Sequence, residues 1–411
     1  MSYQPLSRGV GGIAPGERDR YDEGTTEQQN GGAMLDITTM GAVGDGAFDN
    51  SDGLERALAE CRGTLLVPDG VYGISRPLTL PVHVSLQMAP GAVLRALPGF
   101  QGEAVVIKAP GERGKPVSYG SIRGGTIDGG AQELTGILVP YACRLHIGDL
   151  EVKNCRRKGI DLGAEGWYEC NVSNVRLYLE PEVQNLPGSI GLHYQRCTDS
   201  LVSLVVIIGY ETGLRSDSSS NDFQQVHVWN FKSNGDLKVC FACNGWNDTY
   251  NQCYADSPIT AEMGYGFYVT RPFQRITNCR VYNNQWATDE GVIGIFIADG
   301  GTHGTYLGNH FTAREGHRIL RAFDGNLDAA CIVGNSYATT VSGGLVCQLP
   351  SGGGGTSRMP IASIAGDRLN LSRPVDTPEG GLVGDLAWSE DARGSMLWVH
   401  TPSGWKKARL E

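Results

Sequence analysis

A glycine followed by apolar residues recurs through the middle of this chain with no helix-forming stretch between the repeats. It occurs at Gly136-Ile-Leu-Val, Gly159-Ile-Asp-Leu, Gly191-Leu-His-Tyr, Gly213-Leu-Arg-Ser, Gly235-Asp-Leu-Lys-Val, Gly266-Phe-Tyr-Val and Gly294-Ile-Phe-Ile, then less regularly to Gly344-Leu-Val. The spacings are 23, 32, 22, about 22, about 31 and 28 residues. Short strands at that interval fit a parallel β-solenoid, in which each coil buries alternate side chains against the coils above and below it. A second series ends strands on asparagine, at Asn154, Asn230, Asn283, Asn309 and Asn335. It suits an internal ladder of amides stacked at about 4.8 Å. A β-sandwich with coincidental glycines is the competing architecture.

Composition agrees with an all-β, turn-rich chain. Glycine makes up 58 of 411 residues, about twice the usual share, and charged residues are 19%. No window reaches the 18 consecutive apolar residues of a membrane span. The net charge of -10, without a Lys/Arg run, argues against a nucleic-acid partner. The first residues lack the apolar stretch of a secretory signal, which leaves the location open. The 11 cysteines are scattered, with a lone Cys240–Cys243 pair, and read as mostly reduced, buried small hydrophobes rather than zinc ligands.

The chain divides into four segments. Residues 1–33 are a polar, aperiodic arm. Residues 34–350 form the solenoid, with a helix near 51–62 (Leu54, Ala57, Leu58 and Cys61 at helical spacing, N-capped by Ser51 or Asp52) capping its first coil. Residues 351–379 open on SGGGGTSR and read as a Gly-rich linker. Residues 380–411 alternate apolar and polar positions as a small β-hairpin module.

The stretch Met40–Ser75 carries GAVGDG (Gly41 to Gly46), an acidic turn into a helix at Asp49–Asp52, and LLVPDGVYGI (Leu65 to Ile74). It resembles the opening signature of the pectate-lyase-like superfamily, which includes rhamnogalacturonase- and polygalacturonase-related glycosidases and phage tailspikes. The segment Pro77 to Leu94 is similar to the stretch that usually comes next in that superfamily. The resemblance implies a right-handed parallel β-helix that binds or cleaves polysaccharide, a homotrimer in the tailspike branch, and no single reaction.

If the residue after each glycine points inward, the next points out, and equivalent residues stack into columns. One column then reads Leu138, Asp161, His193, Arg215, Lys238, Tyr268 and Phe296, and its neighbour Pro140, Gly163, Gln195, Asp217, Cys240, Thr270 and Ala298. The strip from Asp161 to Tyr268 spans roughly 19 Å, about four sugar units. Arg215 could neutralise a uronate as a bidentate fork and Lys238 as a point charge, acidifying the C5 proton for β-elimination. His193, Lys238 and Tyr268 are candidate proton carriers. Hydrolysis would instead call on a carboxylate pair such as Asp161 and Asp217. Gln195, Asp299, Glu290 and Trp246 are candidate substrate contacts, the last by stacking.

Polygalacturonases of the superfamily are similar in offering Asp, His, Arg, Lys and Tyr in this order along one face. Their adjacent Asp pair, Asn-Thr-Asp triplet and Gly-His-Gly turn are absent here. The expectation is therefore a polysaccharide-cleaving enzyme leaning to β-elimination of an acidic glycan. It works without metal or cofactor, since no turn gathers three carboxylates. A glycoside hydrolase or glycan transferase is the nearest alternative. A non-catalytic, phage-tail-type receptor-binding rod is the other, its strip being an ordinary solvated face of charge pairs.

Overall fold

The computed structural model describes residues 34–111, 115–118, 120–284, 291–327, 330–338, 341, 344–348, 362–365, 368–371, 386–391, 394–401 and 403–409. The architecture is a parallel β-solenoid of about 11 turns. Successive coils pair in parallel through backbone hydrogen bonds, so the rise from coil to coil is the inter-strand spacing of about 4.8 Å. Among the described residues no helix is long and apolar enough to cross a membrane.

Each central coil has three faces. The first carries Lys158–Tyr168, Ile190–Tyr194, Thr212–Ser216, Val239–Cys243, Gly264–Val269 and Val292–Ile297. The second carries Asp222–Gln224, Thr249–Asn251 and Arg275–Thr277, and the third His227–Trp229, Tyr254–Asp256, Arg280–Asn283 and His310–Ala313. The chain turns from second to third face through one left-handed residue per coil: Leu204, Gln225, Gln252, Asn278 and Gly308. It turns from first to second through Asp199, Ser220, Asn247, Phe273 and His303, also left-handed.

The repeating glycine has a steric cause. On the first face Gly136, Gly159, Gly191, Gly213, Gly266 and Gly294 point into the core at the narrowest part of the coil. A Cβ on Gly213 would lie 2.2 Å from Val228, and one on Gly191 2.2 Å from Ile207, both on the third-face side. Between Gly213 and Gly266 the inward slot is filled by Cys240, not Gly235. Gly235 ends a short 3-10 turn, Lys232–Asn234, at φ 100, so it is a turn glycine lying ahead of the strand. The interior is otherwise apolar and continuous, with Ile160, Leu192, Leu214, Phe241, Phe267 and Ile295 at 0% exposure on the first face. Phe241 and Phe267 stack at 4.6 Å.

The expected ladder of stacked amides is not formed: of its five asparagines only Asn309 and Asn335 are direct neighbours in one column, and there the side chains accept backbone N–H groups. At the second corner Cys253 N donates to Cys279 Sγ, Cys279 N to Asn309 Oδ1, and Asn309 N to Asn335 Oδ1 at 2.8 Å. A parallel ladder runs through Cys170, Ser200, Asn221 and Asp248 at the first corner, each side chain accepting the N–H of the coil before. Asn154, Asn230 and Asn283 belong to neither. They sit at the ends of third-face strands and bond Glu180, the Gly235 carbonyl and the Arg318 carbonyl. The cysteines of the ladders are unpaired and buried, as small core residues.

Ser51–Glu60 is helical and buries Leu54, Ala57 and Leu58. Its N-cap position is Asn50, not Ser51 or Asp52, and the Asn50 side chain faces the core, bonding Val43 and Gly73. Part of the expected linker is strand: Ala362–Ala365 and Arg368–Leu371 pair antiparallel beside Gly344–Gln348, which itself runs antiparallel to Cys331–Val333. The terminal module is a three-stranded antiparallel sheet, Leu386–Asp391, Gly394–Thr401 and Gly404–Arg409, where a hairpin is expected. The arm at 1–33 lies outside the described residues.

The glycine column yields a paired test. Gly213→Ala must displace Val228 and is expected to cost several kcal/mol, in the range of other overpacked cores. Gly53→Ala, in the helix with its nearest neighbour at 3.6 Å, is expected to stabilise by about 0.5–1 kcal/mol. Denaturant unfolding of both variants checks the pair; equal effects would remove the steric account.

Candidate functional site

The register of the first face settles which side chains share a column. Leu138, Asp161, His193, Arg215, Ala242, Tyr268, Phe296 and Asp324 are consecutive rung partners. Four of the five expected strip residues therefore stand where the pattern places them, and Lys238 does not. The misplacement comes from Gly235: counting from it shifts the rung by four residues, whereas the strand starts at Val239. Lys238 lies just before that strand and faces Glu211 at 3.6 Å. In the neighbouring column Gln195, Asp217, Asn244, Thr270 and Ala298 succeed one another, each N–H bonding the coil before. Asn244 takes the place expected for Cys240, which is fully buried.

A third outward column, three residues earlier, supplies a residue that the glycine pattern does not single out. Lys158 precedes the slot glycine Gly159, whereas the pattern marks only positions after each glycine. Its Nζ lies 2.7 Å from Asp161 Oδ2 and 2.9 Å from His193 Nδ1. His193 Nδ1 is also 3.1 Å from Asp161 Oδ1, and His193 Nε2 is 2.9 Å from Asp217 Oδ2. Arg215 Nε donates to the same Asp217 oxygen at 2.7 Å. Gln195 donates to Asp161 at 2.8 Å, Asn244 to Asp217 at 3.0 Å, and Thr270 to Asn244 at 2.9 Å. The result is one connected relay, Lys158–Asp161–His193–Asp217–Arg215, over three coils. Asp161 and His193 are buried, while Arg215 keeps 44% of its side chain exposed.

Burial alone would neutralise these groups, and the pairing outweighs it. Burial raises the Asp217 carboxyl, but hydrogen bonds from His193, Arg215 and Asn244 hold it down at about 2. Asp161 is likewise lowered against its burial, by His193 and Lys158. Burial pushes the His193 imidazole down, yet the two carboxylates on either side bring it above its ordinary value. Lys158 Nζ and His193 Nδ1 stand 2.9 Å apart, both within reach of the Asp161 carboxylate.

Beyond Arg215, Ala242 leaves a gap one rung wide before Tyr268, which stacks on Phe296 at 5.0 Å with Tyr265 edge-on. Trp246, two residues past Asn244, is 50% exposed and packs against Phe273, 42% exposed, at 5.6 Å. His303 lies beside Phe273 at 5.4 Å. Asp299 is exposed, just past the strand Val292–Ile297. Glu290, with Asp289 and Trp286, lies outside the described residues. Tyr250 is fully buried in the core.

No family model matches the chain, and no curated protein does. Solved structures do. The ORF18 protein of Geobacillus virus E2 matches at TM-score 0.57 and 14% identity, over 92% of this chain and 86% of that one. The A-module of the mannuronan C-5 epimerase AlgE4 from Azotobacter vinelandii matches at TM-score 0.54 and 14% identity, over 74% and 95%. The gp42 tailspike of Acinetobacter phage vb_AbaP_AS12 matches at TM-score 0.50 and 11% identity, over 94% and 83%. The likeness shows the fold, a parallel β-helix. On such a helix every outward column is a straight row, so the relay and the Tyr268–Phe296 stack lie along one line.

The relay carries a pH signature. The His193 pKa is raised on folding, so its contribution to stability is full below the unfolded value of about 6.5 and is lost as the pH climbs through the folded value. The stability gap between wild type and His193→Gln is expected to shrink steadily as unfolding is measured from pH 5.5 to 9. A gap constant across that range would mean that the imidazole is not held protonated by Asp161 and Asp217.

Proposed function

We propose that this protein is a polysaccharide-cleaving enzyme that acts on a uronate-containing glycan laid along the first face, by β-elimination. The observation that carries this reading is the relay itself: the imidazole of His193 with Lys158 beside it, next to an exposed guanidinium and bounded by two carboxylates held ionised. Arg215, whose Nε is taken by Asp217, offers its outer amino groups to the substrate carboxylate and acidifies the adjacent C5 proton. His193, neutral once the pH exceeds its raised pKa, accepts that proton, and Lys158 positions its ring. The C5–H electrons form the C4=C5 double bond, the C4–O bond breaks, and the departing oxygen takes a proton from solvent, since Tyr268 stands three rungs from His193. Asp161 and Asp217 orient His193 and stabilise its charge. Gln195 and Asn244 fix the two carboxylates.

The hydrolase alternative is less well supported. An inverting or retaining hydrolase needs a protonated carboxyl as acid, and both candidates have lowered values. Lys238, paired with Glu211, borders the groove and is assigned no proton transfer. Trp246, with Phe273, offers a stacking surface beside the same face, and exposed Asp299 can meet sugar hydroxyls. A C-5 epimerase among the structures of like fold bears a name that points to the carbon where elimination begins. A tailspike of like fold fits a glycan ligand and a homotrimeric assembly of this chain, which light scattering on the full chain checks.

The deciding experiment incubates the protein with polygalacturonate, alginate, hyaluronan and neutral glycans, and records absorbance near 232 nm together with reducing ends. Rising absorbance establishes elimination. Reducing ends alone mean hydrolysis. Solvent deuterium entering C5 without either signal means epimerisation, and silence in all three leaves a binding rod. With elimination in hand, His193→Ala and Lys158→Ala are each expected to lower the rate at least about 100-fold, and Lys238→Ala far less. Near wild-type activity in the first two would remove the relay from the chemistry.

A further inference from the structure

The third face carries an outward strip that neither the glycine pattern nor the relay involves. His227, Tyr254, Arg280 and His310 are rung partners in one column, and Trp229, Asp256, Tyr282 and Thr312 occupy the column beside it. Val228, Ala255, Val281 and Phe311 point the other way and are buried, so the alternation is strict and the strip faces solvent. The His227 and Tyr254 rings stack at 4.4 Å, 8° from parallel. The Arg280 guanidinium lies over Tyr254 at 4.9 Å and over Tyr282 at 5.1 Å.

Two features separate this strip from an ordinary surface. Arg280 is exposed and, among the described residues, has no carboxylate in ion-pair range, although it belongs to a chain of net charge -10. Two tyrosine rings hold its plane in place of an acid, so its N–H groups are oriented and unspent. The one acid of the strip, Asp256, is already engaged by Ser257 and lies 3.6 Å from His227. The strip thus presents one guanidinium without an acid partner among the described residues, set between interleaved aromatic rings in rows about 4.8 Å apart.

We infer that the third face of the solenoid is a second, non-catalytic glycan-binding surface, in which Arg280 grips the carboxylate of a uronate unit and Tyr282 and Trp229 pack against sugar rings. A fixed guanidinium fork matches a carboxylate bidentately, and the apolar face of a pyranose packs on an aromatic ring. The Arg280 guanidinium, without a carboxylate of its own among the described residues, selects an acidic polymer over a neutral one. From the proposed function this inference takes only the class of polymer; it needs none of the chemistry on the first face.

The test is migration of the full chain through native gels containing polygalacturonate, alginate or hyaluronan, against gels with the carboxyl-esterified polymers. It is run on wild type, Arg280→Ala, Arg280→Lys, Tyr282→Ala and His193→Ala. Wild type and His193→Ala are expected to be retarded by at least one free-acid polymer and not by its ester. Arg280→Ala and Tyr282→Ala are expected to weaken that binding about tenfold, with Arg280→Lys between them and wild type, and the rate on a uronate trisaccharide unchanged. Unaltered retardation of Arg280→Ala, equal retardation by the ester, or no retardation by any of the three polymers overturns the assignment. So does displacement by a single-stranded oligonucleotide at lower concentration than the free polymer, or a change in oligomeric state on Arg280→Ala, which would make the face a nucleic-acid site or a subunit contact. Cleavage without Arg280-dependent retardation sinks this inference alone; Arg280-dependent retardation without cleavage sinks the proposed function alone.

Discussion

Everything in this molecule hangs on the hydrogen-bonded stacking of one coil on the next. Because the strands are parallel and in register, a side chain's neighbours along the solenoid are decided by backbone pairing and not by sequence distance. Lys158 and His193 are 35 residues apart and 2.9 Å in space. The narrow glycine column holds the register on the first face, since only residues without bulk fit where Val228 and Ile207 reach across the interior. The corner ladders hold it elsewhere, with Cys, Ser, Asn and Asp side chains each accepting a backbone N–H from the coil before. Those bonds satisfy polar groups that a tight corner would otherwise bury alone.

Legibility in the sequence comes from that register. The solenoid is readable because glycine in a recurring steric slot leaves a periodic mark. So is most of the strip, because Asp161, His193, Arg215 and Tyr268 sit at a constant offset from such glycines. The pattern breaks at one coil, where Cys240 fills the slot and Gly235 serves a turn instead. Small residues are interchangeable in the slot, so a pattern built on glycine alone loses the rung there. Lys158 is invisible for a different reason: it precedes its glycine, and its importance comes from a partner in the next coil. The third-face strip leaves no glycine mark, since its strands carry none, although its rungs His227, Tyr254, Arg280 and His310 recur at near-even intervals. The asparagines are legible as structural residues but not as separate columns, because strand ends at two corners look alike in sequence.

The relay on the first face is a compromise between burial and charge. Two carboxylates, an imidazole and an amine have been withdrawn from water, a costly arrangement for any one of them. Each is held ionised or oriented by the others, so removal of a single member strands its neighbours. A surface chosen for stability alone would not concentrate this many mutually dependent groups in three coils. The rim of the same face is by contrast aromatic, half-buried at Tyr268 and exposed at Trp246.

The rise of the solenoid makes the protein a ruler. One coil advances about 4.8 Å, close to the length of a single sugar in an extended chain, so under the proposed function successive rungs would meet successive sugars. Features that recur in the polymer, such as a carboxylate on each unit, can be met by features that recur in the coils. A polymer with irregular substitution would fall out of step within a few units. Selectivity of this kind resides in spacing and needs no individual pocket. The insertion or loss of a whole coil would lengthen or shorten the groove by about one sugar while leaving every other contact intact.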